Sequence, residues 1–209
     1  MRGPLGPADP LPAHRAGRRR PVREPLGPTD PLPAASRRIL IAGCSGAGKS
    51  TLAAELAARL GLPYRELDAL HHGPNWVPRP EFVADVTAFA ATDAWISEWQ
   101  YRAVRALLLD RAELLIWLDL SRWRVFSQLV PRTVRRRLRR VQLWNGNLEP
   151  PLWTVLTDRD HLLRWAWRTY PRTAERVKAV LGRPAGPVVV RLRSRREVET
   201  WLDRIRTTD

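Results

Sequence analysis

A chain of 209 residues, 44% of them hydrophobic, is long enough for one domain with a sizeable core. Its single cysteine excludes an internal disulfide, and no uninterrupted apolar run approaches the ~20 residues that span a bilayer. The net charge of +15 favours polyanionic partners such as nucleotides, nucleic acid or an anionic surface, and five of those charges fall within residues 1–38.

Residues 1–36 are rich in Pro, Gly and Arg and poor in large apolar side chains. Proline at this density removes backbone donors and favours extended, solvated chain, so a disordered tail is expected, with the folded domain over 37–209. Deleting the tail is expected to leave folding unchanged. The tail holds an imperfect repeat: Pro-Leu-Gly-Pro-Ala-Asp-Pro-Leu-Pro-Ala at 4–13 returns at 25–34 with Thr29 in place of Ala8. With no apolar signal core at the N-terminus and one thiol, the protein is expected in the cytoplasm.

The apolar run 39–42 predicts a first, buried strand over 37–42. It leads into Gly43-Cys44-Ser45-Gly46-Ala47-Gly48-Lys49-Ser50-Thr51, which matches the phosphate-binding loop G-x-x-x-x-G-K-[ST] at every fixed position. Residues 49–60 then carry helical spacing. Strand, glycine loop and helix together form the arrangement that turns backbone N–H groups and a helix N-terminus toward phosphate oxygens. Gly43, Ser45, Gly46, Ala47, Gly48, Lys49, Ser50 and Thr51 are therefore the expected ATP contacts. Lys49 would reach the β- and γ-phosphates, and the Ser50 hydroxyl would hold Mg²⁺. Thr51 would cap the helix or touch the α-phosphate. All but two of the 36 basic residues are arginine, the exceptions being Lys49 and Lys178, so the loop keeps a lysine in a chain that otherwise uses arginine. A compact ammonium fits between phosphates where a planar guanidinium does not substitute freely. Cys44 sits in the loop as a small filler, near a helix N-terminus that can lower a thiol pKa.

Further along, strands are expected at 64–67, 94–99, 114–118 and 188–192. Helices are expected at 79–92, 101–110, 121–141, 150–181 with a break at Pro171, and 195–206. Strands alternating with helices predict an α/β fold: a five-stranded parallel sheet covered on both faces, with ligand at the strand C-termini. Three carboxylates fall at those ends: Asp68, Glu98 and Asp119. A P-loop enzyme needs an acid near Mg²⁺, to order its water shell or take a proton. Asp68 and Glu98 are the catalytic candidates, with Glu98 also on the metal side. Asp119 has the alternative of capping the helix that begins near Ser121.

The segments 67–76 (Leu-Asp-Ala-Leu-His-His-Gly-Pro-Asn-Trp), 95–101 (Trp-Ile-Ser-Glu-Trp-Gln-Tyr) and 118–123 (Leu-Asp-Leu-Ser-Arg-Trp) resemble the DNA topology modulation protein family, an adenylate-kinase-related group of P-loop ATPases. The resemblance covers roughly residues 37–205. It implies a nucleoside-monophosphate-kinase-like P-loop NTPase fold and ATP binding, and the family name implies an effect on DNA supercoiling. Members tend to have Asp-Gly-Asn-Tyr where this chain has Glu98-Trp99-Gln100-Tyr101, a departure that bears on the acceptor pocket more than on the ATP site. Arg102 falls where an adenylate kinase has an arginine.

Arg132, Arg135, Arg136 and Arg139 follow i, i+3, i+4, i+7 spacing and share one helical face, with Val134, Leu138 and Val141 on another. Their place between the fourth and fifth strands is where a kinase of this class carries its lid, so a helical lid is expected over about 130–152, with Arg132 and Arg136 among the residues that neutralise γ-phosphate charge. The loop 142–150 is the expected lid tip. Trp144 and Trp153 are expected in the core rather than against a base, and adjacent His71 and His72 are poorly placed for one metal. The expected function is ATP-dependent phosphotransfer to a nucleotide or other small molecule. The alternative is a nucleotide-dependent, DNA-associated regulator affecting DNA topology, for which a salt titration of duplex binding is the discriminator.

Overall fold

In the computed structural model, which describes residues 23–31, 36–158 and 161–205, five parallel strands form one sheet. They are β1 (Arg38–Ala42), β2 (Tyr64–Arg65), β3 (Trp95–Glu98), β4 (Leu114–Leu118) and β5 (Val188–Leu192), in the order β2-β3-β1-β4-β5. The helices are α1 (Lys49–Leu60), α2 (Leu67–His71), α3 (Phe82–Ala90), α4 (Arg102–Arg111), α5 (Arg122–Leu138), α6 (Thr154–Thr157), α7 (Leu162–Leu181) and α8 (Arg195–Asp203). This is the α/β parallel-sheet architecture expected from the strand–helix alternation, in the nucleoside-monophosphate-kinase-like P-loop form that the resemblance implies.

Strand pleating divides the core. Leu40, Ala42, Trp95, Leu115, Trp117 and Val189 face α3, α4 and α7. Ile39, Ile41, Ile96, Ile116, Val190 and Leu192 face α1, the start of α5, and α8. Both faces of β1 and β4 are therefore buried, which is why these strands read as unbroken apolar runs. The central strand, β1, pairs with β3 on one side and β4 on the other. The chain leaves it for the β2–β3 side and later returns to the β4–β5 side, so the crevice for a ligand opens at its C-terminal end. The glycine loop stands there.

The elements depart from expectation in several places. β2 pairs over only two residues, Tyr64 and Arg65, before the chain turns into α2, so Asp68 lies in a helix and does not end a strand. Residues 79–81 precede α3, which begins at Phe82. α7 runs unbroken through Pro171, and α5 contains Pro131. A proline removes one i→i−4 bond but does not end a helix whose other face is packed, and Val177, Val180 and Leu181 are buried beyond Pro171. Finally, residues 23–31 belong to the fold: Leu26 bridges in parallel to Val190 on the free edge of β5. The expectation of a disordered tail is corrected for these residues; for 1–22 and 32–35 it lies outside the described residues. The docked segment also reverses the expectation that deleting 1–36 is neutral.

Candidate active site

Residues 43–48 turn the chain from β1 into α1. Gly46 and Gly48 adopt φ of 87° and 91°, a left-handed geometry that side chains resist. A Cβ on Gly46 would come within 2.8 Å of Leu129 Cβ, so α5 packs directly on the loop. Gly48 takes the N-cap position of α1 with no side-chain cap, which leaves the first N–H groups of the helix available. Thr51 therefore is not the cap; it lies exposed in the first turn of α1. The Lys49 ammonium folds back over the loop to donate to the Cys44 carbonyl at 3.3 Å. Burial pushes the Cys44 thiol up, outweighing the lowering effect of Lys49.

Glu98, at the end of β3, is 1% exposed and fully engaged. Its Oε1 accepts from the Ser50 hydroxyl at 3.0 Å and from the Tyr64 hydroxyl at 2.6 Å, and its Oε2 from the Leu67 N–H at 3.3 Å. The loop serine and the buried acid expected on the metal side are thus in direct contact. Burial, and then the Glu98 charge, push the Tyr64 phenol strongly up, so it stays a donor to Glu98.

Asp68 faces the same crevice from α2. Its Oδ1 accepts from Gln100 Nε2 at 2.8 Å and from the Tyr101 hydroxyl at 2.5 Å. Tyr101 also lies 3.1 Å from His72 Nε2 and stacks on His71. Its backbone has φ 55° and ψ 114°, a costly conformation for a residue with a side chain, and it immediately precedes α4. Trp99, which stands where the resembling family has glycine, turns away from the crevice: it is buried, and its indole donates to the Arg105 carbonyl at 3.1 Å. Arg102 is the exposed first residue of α4.

Glu66, not singled out from sequence, completes an acidic group with Asp68 and Glu98. Burial raises its pKa most; the Trp144 indole and Arg136 oppose that rise, while Glu98 and Asp68 add to it. The signal was its position two residues before Asp68, which the expected longer strand at 64–67 concealed.

The arginine stripe divides. Arg132 and Arg136 are half-buried toward the crevice, whereas Arg135 and Arg139 are exposed. Burial, and then Arg136, lower the Arg132 pKa against the attraction of Glu149 and Asp68; its Nε is buried without a hydrogen-bond partner among the described residues. Arg136 pairs with buried Glu149 at 3.7 Å. The apolar face of this helix is not a core face throughout: Leu138 is 73% exposed.

The loop at 142–148 locks to the loop after α2. Buried Asn147 accepts from the Trp76 N–H at 2.9 Å and donates to the Gly73 carbonyl at 2.8 Å. Asn145 donates to the His72 carbonyl, and Trp144 stacks against His72. Trp144 thus sits at the site, and Trp153 is 66% exposed, so neither is the core residue expected. Asp119 is held by the Arg191 guanidinium, which also lies over the Trp117 ring, and the helix cap is Ser121, which accepts from the Arg124 N–H. The capping role considered for Asp119 is therefore filled by its neighbour.

No family model matches the chain, and no curated protein matches it. Solved structures do. A shikimate kinase from Acinetobacter baumannii in complex with shikimate is 14% identical with a TM-score of 0.50, covering 82% of this chain and 91% of its own. A gluconokinase from Sinorhizobium meliloti 1021 is 20% identical with a TM-score of 0.46, over 82% of this chain and 94% of that one. A shikimate kinase from Bacteroides thetaiotaomicron is 17% identical with a TM-score of 0.44, over 81% and 96%. At such identities the likeness is one of fold, and it is the Acinetobacter baumannii structure that carries it.

Proposed function

We propose that the protein is an ATP-dependent phosphotransferase that passes the γ-phosphoryl group to a hydroxyl of a small molecule. The observation that carries this reading is the contact between the loop serine, Ser50, and the buried carboxylate of Glu98. The fold shared with the Acinetobacter baumannii shikimate kinase accords with it. Glycines in left-handed geometry, an uncapped helix start and Lys49 suit a triphosphate. Mg²⁺ would be taken mainly by phosphate oxygens and water. Ser50 would hold that ion with Glu98 ordering its water, and the ion would neutralise charge on the β- and γ-phosphates.

The chain's own residues supply the rest. Lys49 leaves the Cys44 carbonyl to pair with phosphate. Asp68, held by Gln100 and Tyr101, orients the acceptor hydroxyl and takes its proton as the O–P bond forms. Arg132 and Arg136 swing from Asp68 and Glu149 to the charge that develops on the transferred group. The closed 142–148 loop excludes water, so transfer outcompetes hydrolysis. A cytoplasmic setting supplies the ATP and the reducing conditions that one free thiol tolerates. No helix among the described residues is long and apolar enough to cross a membrane. The nucleic-acid reading gains nothing from the fold comparison, and its remaining footing is the outward pair Arg135 and Arg139.

The test is a screen of hydroxyl-bearing metabolites and nucleoside monophosphates for ATP-dependent phosphorylation. ADP release that rises with one acceptor class, in wild type but not in Glu98→Gln, supports the reading. ATP hydrolysis indifferent to every acceptor argues against it.

A further inference from the structure

The docked N-terminal segment shows what the free edge of β5 binds. The Leu26 N–H donates to the Val189 carbonyl and the Arg191 N–H donates to the Leu26 carbonyl, both at 2.8 Å, while the Leu26 side chain packs against the core face that holds Val190 and Leu192. Upstream, the Arg23 guanidinium donates to the carbonyls of Gly186 at 3.1 Å, Val180 at 3.3 Å and Pro187 at 3.4 Å, and its own N–H donates to the Leu181 carbonyl at 3.0 Å. Downstream, the Gly27 N–H bonds the Asp30 carboxylate at 2.7 Å, and Arg204 donates to the Pro28 carbonyl at 3.3 Å. The contacts come from Arg23, Leu26, Gly27, Pro28 and Asp30.

All five residue types recur at the same spacing 21 positions earlier, as Arg2, Leu5, Gly6, Pro7 and Asp9. The second copy of the repeat seen in sequence is the docked one, and the first copy carries every residue type that docking uses. The proline-rich composition suits an added edge strand, because only alternate backbone groups need to pair and the remaining positions tolerate a missing N–H.

We propose that residues 2–13 are a second ligand for the same β5 edge, so that the edge is a binding site for Arg-x-Pro-Leu-Gly-Pro-x-Asp peptide and the chain carries two interchangeable straps for it. The tether decides which one docks at rest. The distance along the chain from Leu5 to Arg38 is nearly three times that from Leu26, which lowers the effective concentration of the first copy roughly fivefold by the −3/2 power of linker length. The second copy therefore holds the edge, as it does here, and the first replaces it when the second is lost or displaced.

The test compares Leu26→Asp, Leu5→Asp and the double variant in the full chain, by hydrogen exchange of the Arg191 amide against the Ile39 amide as a core reference. Exchange at Arg191 is expected to match wild type in Leu5→Asp, to rise by at most about fivefold in Leu26→Asp, and to rise well over tenfold beyond that in the double variant. A synthetic peptide of residues 1–13 at several millimolar should then restore protection to the double variant. Equal exchange in Leu26→Asp and the double variant, a double variant as protected as wild type, or failure of the peptide to restore protection overturns the proposal. Should the aspartates prevent folding, Leu26→Ala and Leu5→Ala repeat the comparison with the same expected order.

Discussion

The Ser50 hydroxyl and the Glu98 carboxylate meet at 3.0 Å, joining the first turn of α1 to the end of β3 across the crevice beside β1. Glu98 takes two further hydrogen bonds from opposite sides, from Tyr64 and Leu67. Its two carboxyl oxygens accept from all three donors. Glu98→Gln would turn an amide NH₂ toward a donor, either the Leu67 N–H or the two hydroxyls. The expected result is a loss of about 1–3 kcal/mol in stability by chemical denaturation, together with loss of turnover while ATP still binds. Asp68→Asn, at a half-buried carboxylate, should lose turnover with a smaller stability cost.

Lys49→Ala should abolish turnover and weaken ATP binding without unfolding the protein. The ammonium bonds only the loop's own Cys44 carbonyl among the described residues, so its removal leaves no core void. Lys49→Arg should recover little, since the fork of a guanidinium does not occupy the space of an ammonium between phosphates. ATP titration by calorimetry beside a thermal melt separates the two effects.

The loop closure rests on Asn147, which is 4% exposed and bonds both Trp76 and Gly73. Asn147→Ala strips one acceptor and one donor from buried backbone groups, at a cost of about 1–3 kcal/mol. The expected signature is local: faster proteolytic nicking within 139–150, and a larger share of ATP lost to water, with the sheet amides still protected. Unchanged nicking in a folded variant would show that the loop is held by other contacts.

Glu113 gives a pH-dependent handle far from the crevice. Burial alone would raise its pKa, but the N–H groups of Arg37 and Arg38 and the Arg38 guanidinium together hold the carboxylate below its ordinary value. A depressed folded pKa means stability that is present above the unfolded value near 4.5 and lost as pH falls through the folded one. Glu113→Gln should therefore melt slightly below wild type at pH 7, by a few degrees at most because solvent screens a side chain that is 38% exposed, with the gap narrowing below pH 4. A gap that widens on acidification would contradict the assignment.

Much of the fold was legible because β1 and β4 are buried on both faces, and such strands announce themselves as apolar runs next to the glycine loop. Glu98 was legible for the same reason, at the end of a run. Asp68 was found but misplaced: β2 is two residues long, and the turn into α2 has no sequence mark stronger than the apolar pair around it. Glu66 and Trp144 were missed as site residues because their role comes from a contact across 78 positions that local spacing does not encode. The proline-rich composition concealed the docked segment at 23–31, since its order comes from the β5 edge it completes and not from any core of its own.

The most direct measurement follows the γ-phosphate itself. Phosphorus NMR of Mg·ATP with the wild-type protein and a panel of hydroxyl acceptors should show a new phosphate-ester resonance growing as ADP appears, absent from Lys49→Ala and Glu98→Gln. Inorganic phosphate as the sole product with every acceptor, or an ester that forms equally well in the Lys49→Ala variant, would contradict the phosphotransferase account.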